Sequence, residues 1–205
     1  MGEIIFQRTK FLKSVVELVD LPPSTGDEIA FVGRSNAGKS SAINTITGLK
    51  GLVRTSKTPG CTQYINFFEV DKSKRLVDLP GYGFAKVPRA VKERWERVID
   101  SYLQERECLR GLVLIMDIRQ VLQPLDIHLC NWTNAIQLPL HVLLTKSDKL
   151  KPAPARKTLN AVEAFLKKEC PSTSSVQLFS SLTKAGCEAA RKKLASWFKP
   201  RANKR

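Results

Sequence analysis

No stretch of this 205-residue chain is apolar for long enough to span a bilayer. The longest apolar run, Leu112–Met116, has the length of a buried strand. Met1–Phe6 lacks the basic end, long apolar stretch and small-residue cleavage site of a secretory leader, and Phe6 stands where a myristoylation motif takes Ser or Thr. Membrane insertion is therefore not expected. Cysteine is scarce: Cys61, Cys108, Cys130, Cys170 and Cys187 are odd in number, scattered, and never spaced Cys-x-x-Cys. That spacing offers neither a zinc site nor a disulfide framework and fits reduced thiols in a cytoplasm. Internal repeats and low-complexity blocks are also missing. Negative charge is in short supply, with 19 Asp and Glu against 34 Lys and Arg, a net +15. An excess of that size suggests a polyanionic partner, nucleic acid foremost. The basic residues thicken at the end, where Lys184, Arg191, Lys192, Lys193, Lys199, Arg201, Lys204 and Arg205 face only Glu188. Aromatic residues, 7% of the chain, are not interleaved with that run, so it suits phosphate-backbone contact better than base stacking.

What is present is organised around Gly33-Arg34-Ser35-Asn36-Ala37-Gly38-Lys39-Ser40. An apolar run, Ile29-Ala30-Phe31-Val32, precedes it and reads as a buried strand. Ala42, Ile43 and Ile46 follow at helical spacing until Gly48. Strand, glycine loop and helix in that order make a phosphate site of a pattern that by itself could be a Gly/Ser-rich turn. The glycines let successive N–H groups turn inward, and the helix N-terminus adds its positive end. Lys39 can reach the β- and γ-phosphates, and the Ser40 hydroxyl can ligate Mg2+.

The rest of the chain alternates strands and helices. Residues 1–27 form a lead-in expected to lie against the main sheet, residues 28–199 the principal domain, and residues 200–205 a basic tail. Residues 50–63 are polar, basic and long for a loop in a compact domain, which marks them as functional or mobile. Tyr64–Val70 and Arg75–Val77 read as a hairpin, supplying one antiparallel edge to an otherwise parallel sheet. The second of these ends at Asp78-Leu79-Pro80-Gly81. At that distance from the glycine loop, Asp78 can hold Mg2+ through water and Gly81 can offer its N–H to a γ-phosphate; alone, Asp-x-x-Gly is an ordinary turn. A helix is expected from Pro88 through Leu103, a strand over Leu112–Met116, and a helix from Pro124. A strand over Leu138–Leu144 follows, then a break at Pro152–Pro154, a helix carrying Leu159 to Leu166, and a last strand, Val176–Phe179. The final helix carries Ala190, Leu194 and Trp197.

Two strand ends carry further chemistry. At Thr145-Lys146-Ser147-Asp148, the Asp148 carboxylate can accept from the N1–H and exocyclic amine of guanine, a donor pair that adenine lacks. Lys146 can lay its methylene stem over a base, and Thr145 can bond back to the glycine loop. At Phe179-Ser180-Ser181-Leu182, backbone N–H groups can meet the guanine O6. With every motif at a strand's C-terminal end, the fold expected is α/β in three layers. Its mostly parallel sheet has six strands, with one antiparallel edge strand and helices on both faces.

Taken together, these motifs resemble the five ordered motifs of the translation-factor-related P-loop GTPases. The segments Gly33–Ser41, Thr55–Gln63, Val77–Gly83 and Phe179–Leu182 more closely resemble the bacterial EngB family, within the TrmE-Era-EngA-EngB-septin-like group. The resemblance implies a cytoplasmic bacterial protein that binds GTP and GDP with Mg2+ and hydrolyses GTP. It implies a role in assembly of the large (50S) ribosomal subunit, with a link to cell division and septation. Its partners would be the large-subunit precursor and its rRNA, and the chain would be a monomer. By the same match, Gly60, Cys61, Thr62, Gln63 and Tyr64 belong to the nucleotide site, and Thr62 joins Ser40 and Asp78 as a Mg2+ ligand. Lys39 and Thr62 would assist catalysis. The loops around Thr62 and after Gly81 would be switches ordered by GTP. Cys61 departs from the basic residue expected in Pro-Gly-x-Thr. Tyr82 follows Gly81 where Ras-like enzymes place a water-orienting Gln, which implies slow intrinsic hydrolysis. Acceleration would come from K+ held at Asn36 or from the ribosomal particle. Two other readings stay open on residues alone: a GTP-gated protein-interaction factor in division without RNA contact, and an ATP-using P-loop enzyme.

Overall fold

The computed structural model describes residues 4–54, 64–82, 99–171 and 174–198. Its centre is β2 (Asp27–Gly33), where Ile29, Ala30, Phe31 and Val32 are all fully buried. A strand so covered must feed two cores, and the alternation of its side chains does so. Ala30 and Val32 join one core with residues of α2 (described over 99–105), α3 (Pro124–Ala135) and α4 (Pro152–Glu169). Ile29 and Phe31 join the other, with α1 (Lys39–Thr47) and α5 (Cys187–Trp197). β5 (Leu109–Asp117) repeats the pattern: Leu112, Leu114 and Met116 face one core, Val113 and Ile115 the other. Sheet between two helix layers is the three-layer arrangement expected.

The remaining strands are β1 (Lys10–Val15), β3 (Ile65–Asp71), β4 (Lys74–Asp78), β6 (Leu140–Thr145) and β7 (Ser174–Leu178). Their order is β1-β3-β4-β2-β5-β6-β7. The neighbours from β4 to β7 are parallel, while β3 runs antiparallel to both β4 and β1. The β3–β4 hairpin is where the sequence placed it. The count is seven strands among the described residues rather than six, because Lys10–Val15 of the lead-in pairs with β3 and takes the edge.

A second difference concerns Pro152 and Pro154, which open α4 rather than break the chain. A first-turn proline loses no intrahelical bond, since the N–H it lacks has no partner there. The helix expected from Pro88 lies outside the described residues up to residue 98. No described helix is long and apolar enough to cross a membrane.

β2 leads to α1 on one face, whereas its neighbours β4 and β5 lead to helices on the other. Connections diverge at the C-terminal ends of these strands, and that divergence opens the crevice in which doubly wound sheets bind ligands.

Candidate functional site

The glycine loop leaves β2 at Gly33, which sits against β5. A Cβ on Gly33 would stand 2.7 Å from the Ile115 carbonyl oxygen, so no larger residue fits without moving backbone. Asn36 and Gly38 then take left-handed φ of 62° and 98°, the turn that lets a strand reverse into a helix within a few residues. Gly38 is the N-cap of α1 and supplies no side-chain cap. The first N–H groups of α1 therefore keep their capacity for an anion.

Lys39 opens α1 and is 8% exposed; its ammonium ion-pairs with the fully buried Asp78 carboxylate at the end of β4. The other Asp78 oxygen, Oδ2, is buried without a hydrogen-bond partner. A buried carboxylate oxygen with spare lone pairs, at a strand end next to the glycine loop, is a hard oxygen donor of the kind Mg2+ takes. Thr62, expected as a further ligand, lies outside the described residues, as do Gly60, Cys61 and Gln63.

Asp78-Leu79-Pro80-Gly81 runs beside the glycine loop and is tied to it by backbone. Leu79 N–H donates to Phe31 O at 3.0 Å, Tyr82 N–H to Gly33 O at 3.2 Å, and Ser35 N–H to Tyr82 O at 2.9 Å. The Tyr82 side chain turns inward, 8% exposed, and its hydroxyl donates to Asp126 at 2.5 Å. Burial, reinforced by the Asp126 charge, pushes the Tyr82 phenol far above its ordinary range, so Tyr82 stays neutral.

The end of β6 is bolted to the same loop. Thr145 Oγ1 donates to Ala37 O at 2.5 Å, with Met116 O at 3.0 Å. Lys146, at a left-handed φ of 57°, donates from Nζ to Asn36 O at 2.7 Å and pairs with Asp117 at 3.0 Å. Asp117 also takes Arg119 at 2.7 Å. Burial alone would raise the Asp117 carboxyl, but hydrogen bonds from Arg119 and Lys146 outweigh it and hold the group well below the usual range. Asp117 belongs to none of the motifs read from the sequence. The available signal was a carboxylate ending a central strand, two residues before an arginine.

Asp148 follows one turn later. Ser180 Oγ, fully buried, donates to Asp148 Oδ1 at 2.6 Å, and Lys149 stands 3.7 Å from Oδ2. The Ser180 hydroxyl is the main reason the Asp148 carboxyl is held below its ordinary value. The two loops are also joined through backbone: Ser147 N–H donates to Phe179 O at 3.2 Å, and Phe179 N–H to Leu144 O at 2.9 Å. Ser180 N–H is engaged by Ala185 O at 3.0 Å.

The residues Gly33 to Ser40, Asp78 to Gly81, Thr145 to Asp148 and Phe179 to Ser181 thus gather along one edge of the sheet, at the ends of β2, β4, β6 and β7. The start of β3 reaches that edge too, since Asn66 pairs with Asp78. Tyr64, just before it, is half-exposed and lines a groove against β1.

Comparison with known proteins agrees with this geometry. The 50S ribosome-binding GTPase family matches residues 28–146. The probable GTP-binding protein EngB of Coxiella burnetii (strain CbuG_Q212) is 53% identical over 194 residues, 95% of this chain and 94% of that protein. Its counterpart from Enterobacter sp. (strain 638) is 51% identical, covering 94% of this chain and 92% of that one. Among solved structures, a probable GTP-binding protein EngB superposes with a TM-score of 0.69 at 25% identity, over 85% of this chain and 100% of that one. Aquifex aeolicus Era bound to GDP and aluminium fluoride shares the fold at a TM-score of 0.67 and 21% identity, over 86% and 58% of the two chains. A family match over more than half of the chain, together with relatives 51% and 53% identical over nearly their whole length, places the chain in the EngB family of P-loop GTP-binding proteins.

Proposed function

We propose that this protein is a Mg2+-dependent, GTP-hydrolysing switch that binds the large-subunit precursor during ribosome assembly. The observation that carries the reading is the bracing of the base loop to the phosphate loop. Thr145 and Lys146 both bond to backbone carbonyls of the glycine loop, and the Ser180 hydroxyl holds the Asp148 carboxylate by a hydrogen bond. A rigid spacing between a carboxylate and an anion cradle selects a guanine nucleotide by its two ends.

In this reading Asp148 accepts the N1–H and amine of guanine, Ser181 N–H meets O6, and the Lys146 stem covers the base. Lys39 exchanges its Asp78 partner for phosphate oxygens, and Gly38 admits phosphate close to backbone N–H groups. Ser40, Thr62 and, through water, Asp78 would hold Mg2+, which offsets charge on the β- and γ-phosphates when bound. Gly81 and Thr62 sense the γ-phosphate and bias the two switches.

Tyr82, buried and bonded to Asp126, carries no carboxamide with which to orient a water. Intrinsic hydrolysis is therefore slow, and K+ at Asn36 or the particle itself supplies the missing acceleration. The family description, 50S ribosome-binding GTPase, and the net +15 charge support the ribosomal partner and a cytoplasmic place of work. A role in division would follow from this one.

Calorimetry with GTP and GDP tests the core of the reading; no heat with either would overturn it. Asp148→Asn should weaken GTP by about tenfold or more, from loss of charge-assisted hydrogen bonds, and favour xanthosine triphosphate. Sedimentation of cell extract with a non-hydrolysable GTP analogue should carry the chain into the large-subunit fraction. A chain that stays at the top of the gradient would remove the ribosomal partner.

A further inference from the structure

Exposed apolar side chains are unevenly placed. Of eight large ones among the described residues, Ile5, Phe11, Leu12, Val16, Val19 and Tyr64 lie in the lead-in or beside its contact with β3. Phe11 and Tyr64 border a groove of about 440 Å3, between the β1–β3 edge and the chain that follows α1. Such a volume falls within the ~300–1,000 Å3 of ordinary ligand sites.

The groove is built rather than incidental. Register sets Phe11 against Phe68, and the two rings meet edge to face at 5.9 Å, which fixes the Phe11 ring while leaving it 56% exposed. Ser14 donates to Asn66 at 2.6 Å on the same face. The opposite wall ends at Arg54, just beyond Val53, whose N–H and C=O are both held by the Asn44 side chain at 2.8 and 2.9 Å. Among the described residues no carboxylate lines the groove. It therefore offers two half-exposed aromatic rings, an amide and a hydroxyl able to meet base edges, and one guanidinium.

We infer that this groove takes one unpaired nucleotide of RNA, its base against Phe11 and Tyr64 and its phosphate on Arg54. Flat ring faces beside a cation, with no opposing negative charge, are the means by which proteins hold single strands. The chain's +15 charge makes the approach of such a strand favourable. The inference rests on the reading that the particle's RNA is the partner; it assigns base stacking to Phe11 and Tyr64 and one phosphate to Arg54, and leaves further backbone contact to the basic C-terminal residues. An acidic peptide would instead add to the open edge of β1, beside Lys10 and Lys13.

The test uses the full chain and a fluorescent ten-residue oligoadenylate, read by anisotropy in excess duplex competitor. Phe11→Leu keeps apolar bulk and removes the ring face, so binding should weaken about fivefold or more. Phe11→Tyr should stay within about twofold, and Arg54→Gln should flatten the salt dependence by about 0.7 of a log unit per log unit of salt. Melting temperatures check that each variant folds. Absence of oligoadenylate binding by the natural chain, or a Phe11→Leu variant that binds as well as it does, would overturn the groove. Those outcomes leave the ribosomal reading standing, provided the natural chain still sediments with large subunits. Oligoadenylate binding that obeys the variants without such sedimentation would keep the groove and remove the ribosome.

Discussion

Gly33 allows the glycine loop to leave β2 pressed against the backbone of β5. Gly33→Ala puts a methyl 2.7 Å from the Ile115 carbonyl oxygen and 2.9 Å from its Cβ, so β5 must shift. The expected cost is about 1–3 kcal/mol, as for other overpacked sites, with weaker nucleotide binding because the loop shifts too. A urea midpoint equal to that of the natural protein would show that the contact relaxes freely. His141 gives the pH dependence at this scale. It is 3% exposed, between Ser175 at 2.9 Å and Gln177 at 3.0 Å. Burial pulls its pKa down to about 4, so it is neutral in the fold and takes a proton on unfolding near 6.5. Between those values the unfolded chain binds more protons, so stability falls as pH drops from about 6.5 to about 4 and levels off below. The loss is about 3 kcal/mol by linkage. Denaturation series at several pH values should show that slope, and His141→Gln should flatten it. Neither His141 nor the Asp117–Lys146 pair was legible in the sequence. Each depends on partners that chain spacing does not reveal.

At the scale of elements, what was legible was what is local. β2, the glycine loop and α1 form one unbroken segment whose apolar run, glycines and helical spacing can be read together. The β3–β4 hairpin was legible for the same reason. β1 was not, because an edge strand covered on little of its length shows no clean alternation: Lys10, Phe11, Leu12 and Ser14 are all exposed. Its register also slips between Phe11 and Lys13. Tertiary pairing with β3, not local pattern, makes it a strand. Pro152 and Pro154 read as a break because two prolines two residues apart suggest a loop, although each falls in the first turn of α4, where neither removes an intrahelical bond. The chain after α1 is held through one side chain, Asn44, which bonds both the N–H and the C=O of Val53. Asn44→Ala would leave both groups without that partner, at about 1–3 kcal/mol. The sharper readout is hydrogen exchange at the Val53 amide, which should quicken by more than the global stability change explains. Exchange that merely follows global stability would mean the segment is held by packing alone.

On the scale of the whole molecule, charge is arranged in two different ways. The candidate site occupies the C-terminal edge of the sheet, while the opposite end of β2 carries Glu28, fully buried and ringed by cations. Arg106 reaches Glu28 at 2.7 and 2.8 Å, Arg75 at 2.9 Å and the Tyr102 hydroxyl at 2.9 Å. Burial would raise the Glu28 carboxyl, but Arg106 first, then Arg75 and Tyr102, hold it below its usual value. Both arginines also reach Pro23 O. One carboxylate thereby joins β2, β4, the end of α2 and the lead-in, segments up to 83 residues apart. Two adjacent acidic residues, Asp27 and Glu28, before an apolar run gave no hint of this. Glu28→Gln leaves the Arg106 guanidinium in a buried place with a neutral partner, which should cost about 3 kcal/mol or more. Salt separates this term from the rest of the electrostatics. The net +15 is spread over the surface, so its self-repulsion is screened, and the natural protein should melt higher in 1 M than in 0.1 M NaCl. The Glu28 cluster is shielded from solvent, so the gap in melting temperature between Glu28→Gln and the natural protein should be the same at both salt concentrations. A gap that closes in high salt would mean that the cluster is open to water, and that the tie between the lead-in and the far end of the sheet lies elsewhere.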